Sequence, residues 1–149
     1  AAAILMQANI ALEKSEPKKA IAGYAKVAGD DSLPKPFRDL ALIRQTAAEF
    51  DTLEPQAVVD RLKPLAVPGN PWFGSAGEMV ALSYLNMKKS ALAGPLFAQL
   101  AKDETVPPTI RSRALQMAGV EGVDAVDVDG DDKKATPLKA GAAKGEAKE

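Results

Sequence analysis

The stretch Asp30–Leu42 reads DDSLPKPFRDLAL, and Asp103–Leu115 reads DETVPPTIRSRAL. The two lie 73 residues apart (103 minus 30), and five of their thirteen positions are identical: the first Asp, the first Pro, the Arg and the closing Ala-Leu. Four more are near-synonyms, Asp/Glu, Ser/Thr, Leu/Val and Phe/Ile. Such a segment reads as a joint between helices. Asp with Ser or Thr suits a turn, and Pro suits the first helical turn, where its missing N–H costs nothing. Ala-Leu then returns the chain to a core.

The echo runs beyond the joint. The same offset pairs Ala8 with Ala81, Leu12 with Leu85, Tyr24 with Phe97, Ala25 with Ala98 and Ala28 with Ala101. Half of 73 is about 36 residues, the period of solenoids built from helix pairs. One helical hairpin cannot bury its apolar face alone, so stacked neighbours bury it for each other. An all-α solenoid of about three helical hairpins plus a final helix is therefore expected.

Pro and Gly place the helices, and strand alternation is missing. The first helix is expected from about residue 2 to Lys14, with Ile4, Leu5, Ala8 and Leu12 on its apolar face. The second opens at Pro17 and runs to about Ala28, with Ala20, Ile21, Tyr24 and Val27 on one face. The third spans about Pro36 to Phe50. The fourth follows a capping residue, Thr52, and runs from Pro55 to between Lys63 and Ala66. Asn70-Pro71 starts the fifth, which ends near Met87. The sixth covers Ser90 to Lys102, with a late start or a kink at Pro95. The seventh starts at Pro107-Pro108 and fades near Gly119 to Gly122.

Composition narrows the chemistry. The chain has 149 residues, 46% apolar and 26% charged, with a net charge of −1, no Cys and no His. That removes disulfides, thiolate nucleophiles, Cys/His zinc sites and His-based triads. Near-neutrality gives no reason to expect nucleic acid as a partner. No Gly-rich phosphate loop or carboxylate pair stands out, so neither a catalytic residue nor a cofactor is expected. DVDGDD (Asp127–Asp132) fails as a calcium loop, because Gly130 falls fourth and Leu138 twelfth, where an EF-hand needs Gly sixth and Glu twelfth. No metal site is expected. Residues 1–120 form the expected solenoid. Residues 121–149 carry eight acidic residues against five Lys and no aromatic, a composition expected to stay disordered. The chain opens inside a helical pattern without Met or a capping residue, so it is expected to be a fragment of a longer protein with an anchor upstream.

The spacing fits tetratricopeptide units: a small residue in the first helix, Ala early in the second, an aromatic four residues on, and a closing Pro. Ala8, Ala20, Tyr24 and Pro34 meet it, as do Ala81, Ala93, Phe97 and Pro107. The middle unit departs: Ala57 is in place, but Arg61 or Leu62 stands at the aromatic position, and its internal turn, EFDTLEP, is longer. The segments LPKPFRDLALI, PLAVPGNPWFGSAGEM and RSRALQMAG, with NPWFGSAGEMVALSYLNMKKSALAGPLFAQLAKD, carry a narrower resemblance. Over about residues 1–126 the chain resembles the tetratricopeptide-like domain of YfgM-type proteins and their α-proteobacterial relatives. The resemblance implies a preceding transmembrane helix, a domain on the periplasmic side of the inner membrane, and the Sec translocon or periplasmic chaperones as partners. Self-assembly into a homodimer through the apolar first helix is the alternative.

Candidate sites follow from the architecture. The concave face of a solenoid is lined by the first helix of each hairpin, whose polar residues are Asn9, Glu13, Arg44, Gln45, Glu78 and Asn86. Arg38 and Arg111 have two readings: partner-binding guanidiniums, or fasteners that reach the preceding helix's carbonyls or pair with Asp30 or Asp103. Their repetition at a turn favours fastening. Trp72 and Phe73 are expected as core at a hairpin junction, with an interface hot spot as the alternative.

Overall fold

Helix-breaking and helix-starting residues cut the chain where its pattern suggests. The computed structural model describes residues 1–123. They form seven α-helices and no strand: α1 (Ala2–Glu13), α2 (Pro17–Ala28), α3 (Lys35–Glu49), α4 (Pro55–Leu62), α5 (Phe73–Asn86), α6 (Ser90–Lys102) and α7 (Pro108–Val120). Consecutive helices pack on one another, giving the all-α helical-hairpin solenoid. The acidic tail from residue 124 onward, with DVDGDD, lies outside the described residues.

The 73-residue echo is also an echo of backbone geometry. Ser15 and Lys88 both take the left-handed conformation, at φ 60° and 58°. In each turn the next N–H reaches back to the helix: Glu16 N–H to the Ala11 carbonyl and Lys89 N–H to the Tyr84 carbonyl, both at 2.8 Å. Glu16 (φ −106°, ψ 64°) and Lys89 (φ −101°, ψ 59°) then open α2 and α6. The joints match as closely. Asp30 accepts the Ser32 N–H (3.0 Å) and hydroxyl (2.6 Å), and Asp103 accepts the Thr105 N–H (2.9 Å) and hydroxyl (2.6 Å). Pro34 (φ −56°, ψ 138°) and Pro107 (φ −53°, ψ 140°) follow as the residues before α3 and α7. The quoted repeat is a joint in space as well as in sequence.

Small residues bring α1 and α2 together. A Cβ built on Gly23 would stand 3.0 Å from the Ala8 Cβ. Ala8, Ala20 and Tyr24 are buried together with Ala41 of α3, so the aromatic fills the gap between the hairpin and the next helix. Phe97 does the same between Ala81, Ala93 and Ala114 of α7. A third core joins them, where Ile43 of α3 meets Val58, Val59 and Leu62 of α4 and Ala76 and Val80 of α5.

The middle hairpin is built differently. Glu54, before α4, has φ −59° and ψ 134°, the backbone of the joints at Pro34 and Pro107 and not that of Glu16 or Lys89. The α3–α4 connection is thus turned like a link between hairpins. Aligning Pro17 with Pro55 puts Val58 at the place of Ala20 and Leu62 at that of Tyr24. Both are buried, whereas Ala57 is only half-buried. The expected small residue is therefore displaced by one position, and a branched side chain stands there. The same alignment puts Thr46 where Ala8 stands and Arg61 where Gly23 stands. Thr46 is fully buried, its hydroxyl donating to the Leu42 carbonyl at 2.7 Å. Arg61 lies over it and pairs with Glu49 at 2.5 Å. With these bulkier groups between them, α3 and α4 approach far less closely than α1 and α2 or α5 and α6.

Four local expectations need correction. Thr52 does not cap α4: its hydroxyl donates to the Glu49 carbonyl at 3.0 Å, and Glu54 holds the cap position. α5 begins at Phe73 rather than Pro71, because the Asn70 side chain accepts the Trp72 N–H at 2.8 Å and completes a turn first. Of the late start or kink expected at Pro95, the late start does not occur: α6 runs from Ser90 with Pro95 inside it, its origin set by the Lys88 turn. Leu12 is 38% exposed, and Ala11 takes the buried place facing α2. Beyond α7, Gly122 at φ 73° turns the chain so that Val123 lies on Gly94 of α6.

Candidate functional site

Stacking sets the first helices side by side, and between α3, α5 and α7 they leave a cleft of about 400 Å³. Leu40, Ile43, Arg44 and Ala47 of α3 form one wall. Ser75, Glu78 and Met79 of α5, with Ile110 and Arg113 of α7, form the other, and Trp72 closes the end of α5. The cleft lies across the seam where α3 meets the following helices. Its floor is apolar and its rim is charged.

Two of the expected groove residues, Arg44 and Glu78, meet here. Glu78 is held by a residue the sequence pattern did not single out. Arg113 donates from Nε to one carboxylate oxygen at 2.7 Å and from Nη2 to the other at 2.9 Å. That fork fixes Glu78 and raises the Arg113 pKa further above its ordinary value. Arg44 is exposed, and its charge acts on the Tyr24 hydroxyl. Burial raises the Tyr24 pKa, and Arg44 pulls it partly back.

The other candidates lie elsewhere. Asn9 accepts the Tyr24 hydroxyl at 2.5 Å and so anchors the aromatic of the first hairpin. Glu13 and Asn86 are exposed last residues of α1 and α5. Gln45 is half-buried and does not line the cleft. Arg38 pairs with Asp31 at 2.7 Å, not with Asp30, whose Oδ1 accepts the Ser32 N–H and hydroxyl. The Nε atoms of Arg38 and Arg111 are both buried without a hydrogen-bond partner. Neither guanidinium lines the cleft.

Trp72 and Phe73 divide the roles expected of them. Phe73 is 1% exposed and belongs to the α5–α7 core. Trp72 is half-buried: it packs on the α3–α5 core and also lines the cleft. A large, rigid, partly exposed aromatic beside a charged rim is the kind of group that anchors protein partners.

Two other hollows are present, and the second of them, at about 410 Å³, is as large as this cleft. One, of about 280 Å³, runs along α1 and α2 past Ile4, Ile10 and Gly23. Another lies between the turn before α5 and the joint before α7, around Asn70 and Thr105. Among the described residues no group of three or more carboxylates is placed to hold a metal ion, and no helix is long and apolar enough to cross a membrane. Compared with protein-family models, curated proteins and solved structures, the chain finds no match.

Proposed function

We propose that this chain is a non-catalytic protein-interaction scaffold whose α3/α5/α7 cleft receives a segment of a partner. The carrying observation is the cleft itself: three helices from different repeats converge on an apolar floor that exposes Trp72 and ends in Arg44 and the Glu78–Arg113 pair. Rigid supports hold it. Tyr24, Phe97 and Phe73 are fully buried on either side, so the walls are fixed by core packing.

The resemblance to YfgM-type domains supports a location for this activity: the periplasmic face of the inner membrane, beside the translocon and periplasmic chaperones. A photo-crosslinking residue placed at Ala47, exposed and in the cleft, tests the reading in native membranes. A discrete protein adduct at Ala47, absent when the probe sits at exposed Lys26 outside the cleft, is expected. A translocon subunit or chaperone in that adduct supports the location; any other protein removes the location and keeps the scaffold. No adduct at Ala47 removes both.

A second reading has its own observation. On α1, Met6 is 65% exposed and Ile10 41% exposed, an apolar surface on the first described helix. Self-assembly through α1 would cover it. Light scattering that gives a dimer mass, reduced to a monomer mass by Met6→Glu, supports this reading; a monomer at all concentrations excludes it.

A further inference from the structure

What docks in the cleft follows from its charge, given that the cleft is the docking surface. Glu78 is neutralised, since each of its oxygens already accepts a hydrogen bond from Arg113. Arg44 faces the same cleft with no carboxylate paired to it among the described residues. Its charge acts on the Tyr24 hydroxyl, which is uncharged at neutral pH and so does not compensate it. Two guanidiniums and one carboxylate therefore leave one uncompensated positive charge on the rim. Beside it lie Leu40 and Ile43, and across the floor lie Trp72 and Met79.

An unpaired guanidinium next to apolar surface selects for a carboxylate, which it binds through two parallel N–H donors. The apolar floor selects for an aliphatic or aromatic side chain, and Met adapts to the shape it receives. A basic segment meets repulsion at Arg44 and finds Glu78 already taken.

We infer that the occupant is a partner segment in which an apolar side chain lies beside a carboxylate, the first seated against Trp72 and Met79 and the second on Arg44. The chemistry is that of a short acidic–apolar peptide, recognised by one anchor and one charge.

Fluorescence anisotropy on the full chain tests this with three short labelled peptides: alternating leucine and aspartate, a twin with lysine for aspartate, and a twin with serine for leucine. The leucine–aspartate peptide is expected to bind most tightly, with each twin weaker by roughly tenfold or more. Arg44→Glu is expected to reverse the preference between the aspartate and lysine peptides while the melting temperature holds. Equal affinity for those two peptides, or an unchanged preference in Arg44→Glu, overturns the inference and leaves the cleft a docking surface. So does failure to bind the leucine–aspartate peptide while Ala47 still crosslinks a partner. Loss of the Ala47 adduct as well overturns the proposed function itself.

Discussion

Gly23 lies directly against Ala8, so close that a Cβ on the glycine would stand 3.0 Å from the alanine's Cβ. That approach closes the first hairpin. Where the same places hold Arg61 and Thr46, the middle hairpin stands open. A large residue at Gly23 should force the first hairpin apart. Gly23→Leu is expected to destabilise by about 1–3 kcal/mol, the usual cost of overpacking. Thermal melts measure it, and an unchanged melting temperature would show that the contact does not govern the spacing.

The paired left-handed turns make a prediction of the opposite sign. Ser15 and Lys88 hold φ 60° and 58°, where an L side chain is strained and glycine is not. Ser15→Gly and Lys88→Gly are each expected to stabilise by about 0.5–1 kcal/mol. Because the turns are far apart and share no partner, the gains should add. A loss in either variant would contradict the turn assignment.

Arg61 and Glu49 form the polar wedge of the middle hairpin, with about a quarter of the arginine and a fifth of the glutamate side chain exposed (25% and 19%). Partial solvent exposure limits the pair's value. A double-mutant cycle with Arg61→Ala and Glu49→Ala is expected to give a coupling of about 1 kcal/mol. Zero coupling would mean that packing around Thr46, not the ion pair, holds the wedge.

Asp30 and Asp103 tie the joints to pH. Their pKa values are lowered, first by the hydroxyls of Ser32 and Thr105 and then by the backbone N–H groups of the same residues. The folded state thus favours the ionised carboxylates. Their contribution is complete above the ordinary aspartate pKa of about 3.9, and is lost as pH falls through the depressed folded values. Carboxyl NMR titration should place both midpoints below the ordinary value. Ser32→Ala should raise the Asp30 midpoint and leave Asp103 where it was. An Asp30 midpoint insensitive to Ser32→Ala would contradict this account of the joint.

The residue pattern foretold the outer hairpins well, because their packing rests on residue types that announce themselves. Ala8, Ala20 and Tyr24 recur as Ala81, Ala93 and Phe97, and all six are buried. In the middle hairpin the buried position lies one residue from where the motif puts it. Ala57 fits the motif by type, yet Val58 is the buried residue, and only the turn geometry at Glu54 reveals the shift. Arg113 escaped notice for a related reason. Comparison of the repeats highlights identities such as Arg38 and Arg111, whereas Arg113 stands opposite Leu40 and matches nothing. Arg38 pairs with Asp31 in its joint and the charge of Arg111 acts on Asp103 in the other, whereas the unmatched arginine lines the cleft. A repeat's shared residues report on stacking; its unshared residues carry what is particular to the site.

Trp72 is the chain's one tryptophan, and it lines the cleft, so its emission reports directly on occupancy. Titrating the partner captured at Ala47 into the intact chain should shift that emission to shorter wavelength, saturably, as water leaves the indole face. The shift should weaken in Arg44→Glu. Saturable binding by an independent readout, with Trp72 emission unmoved, would place the partner on another surface and contradict the claim that the α3/α5/α7 cleft receives it.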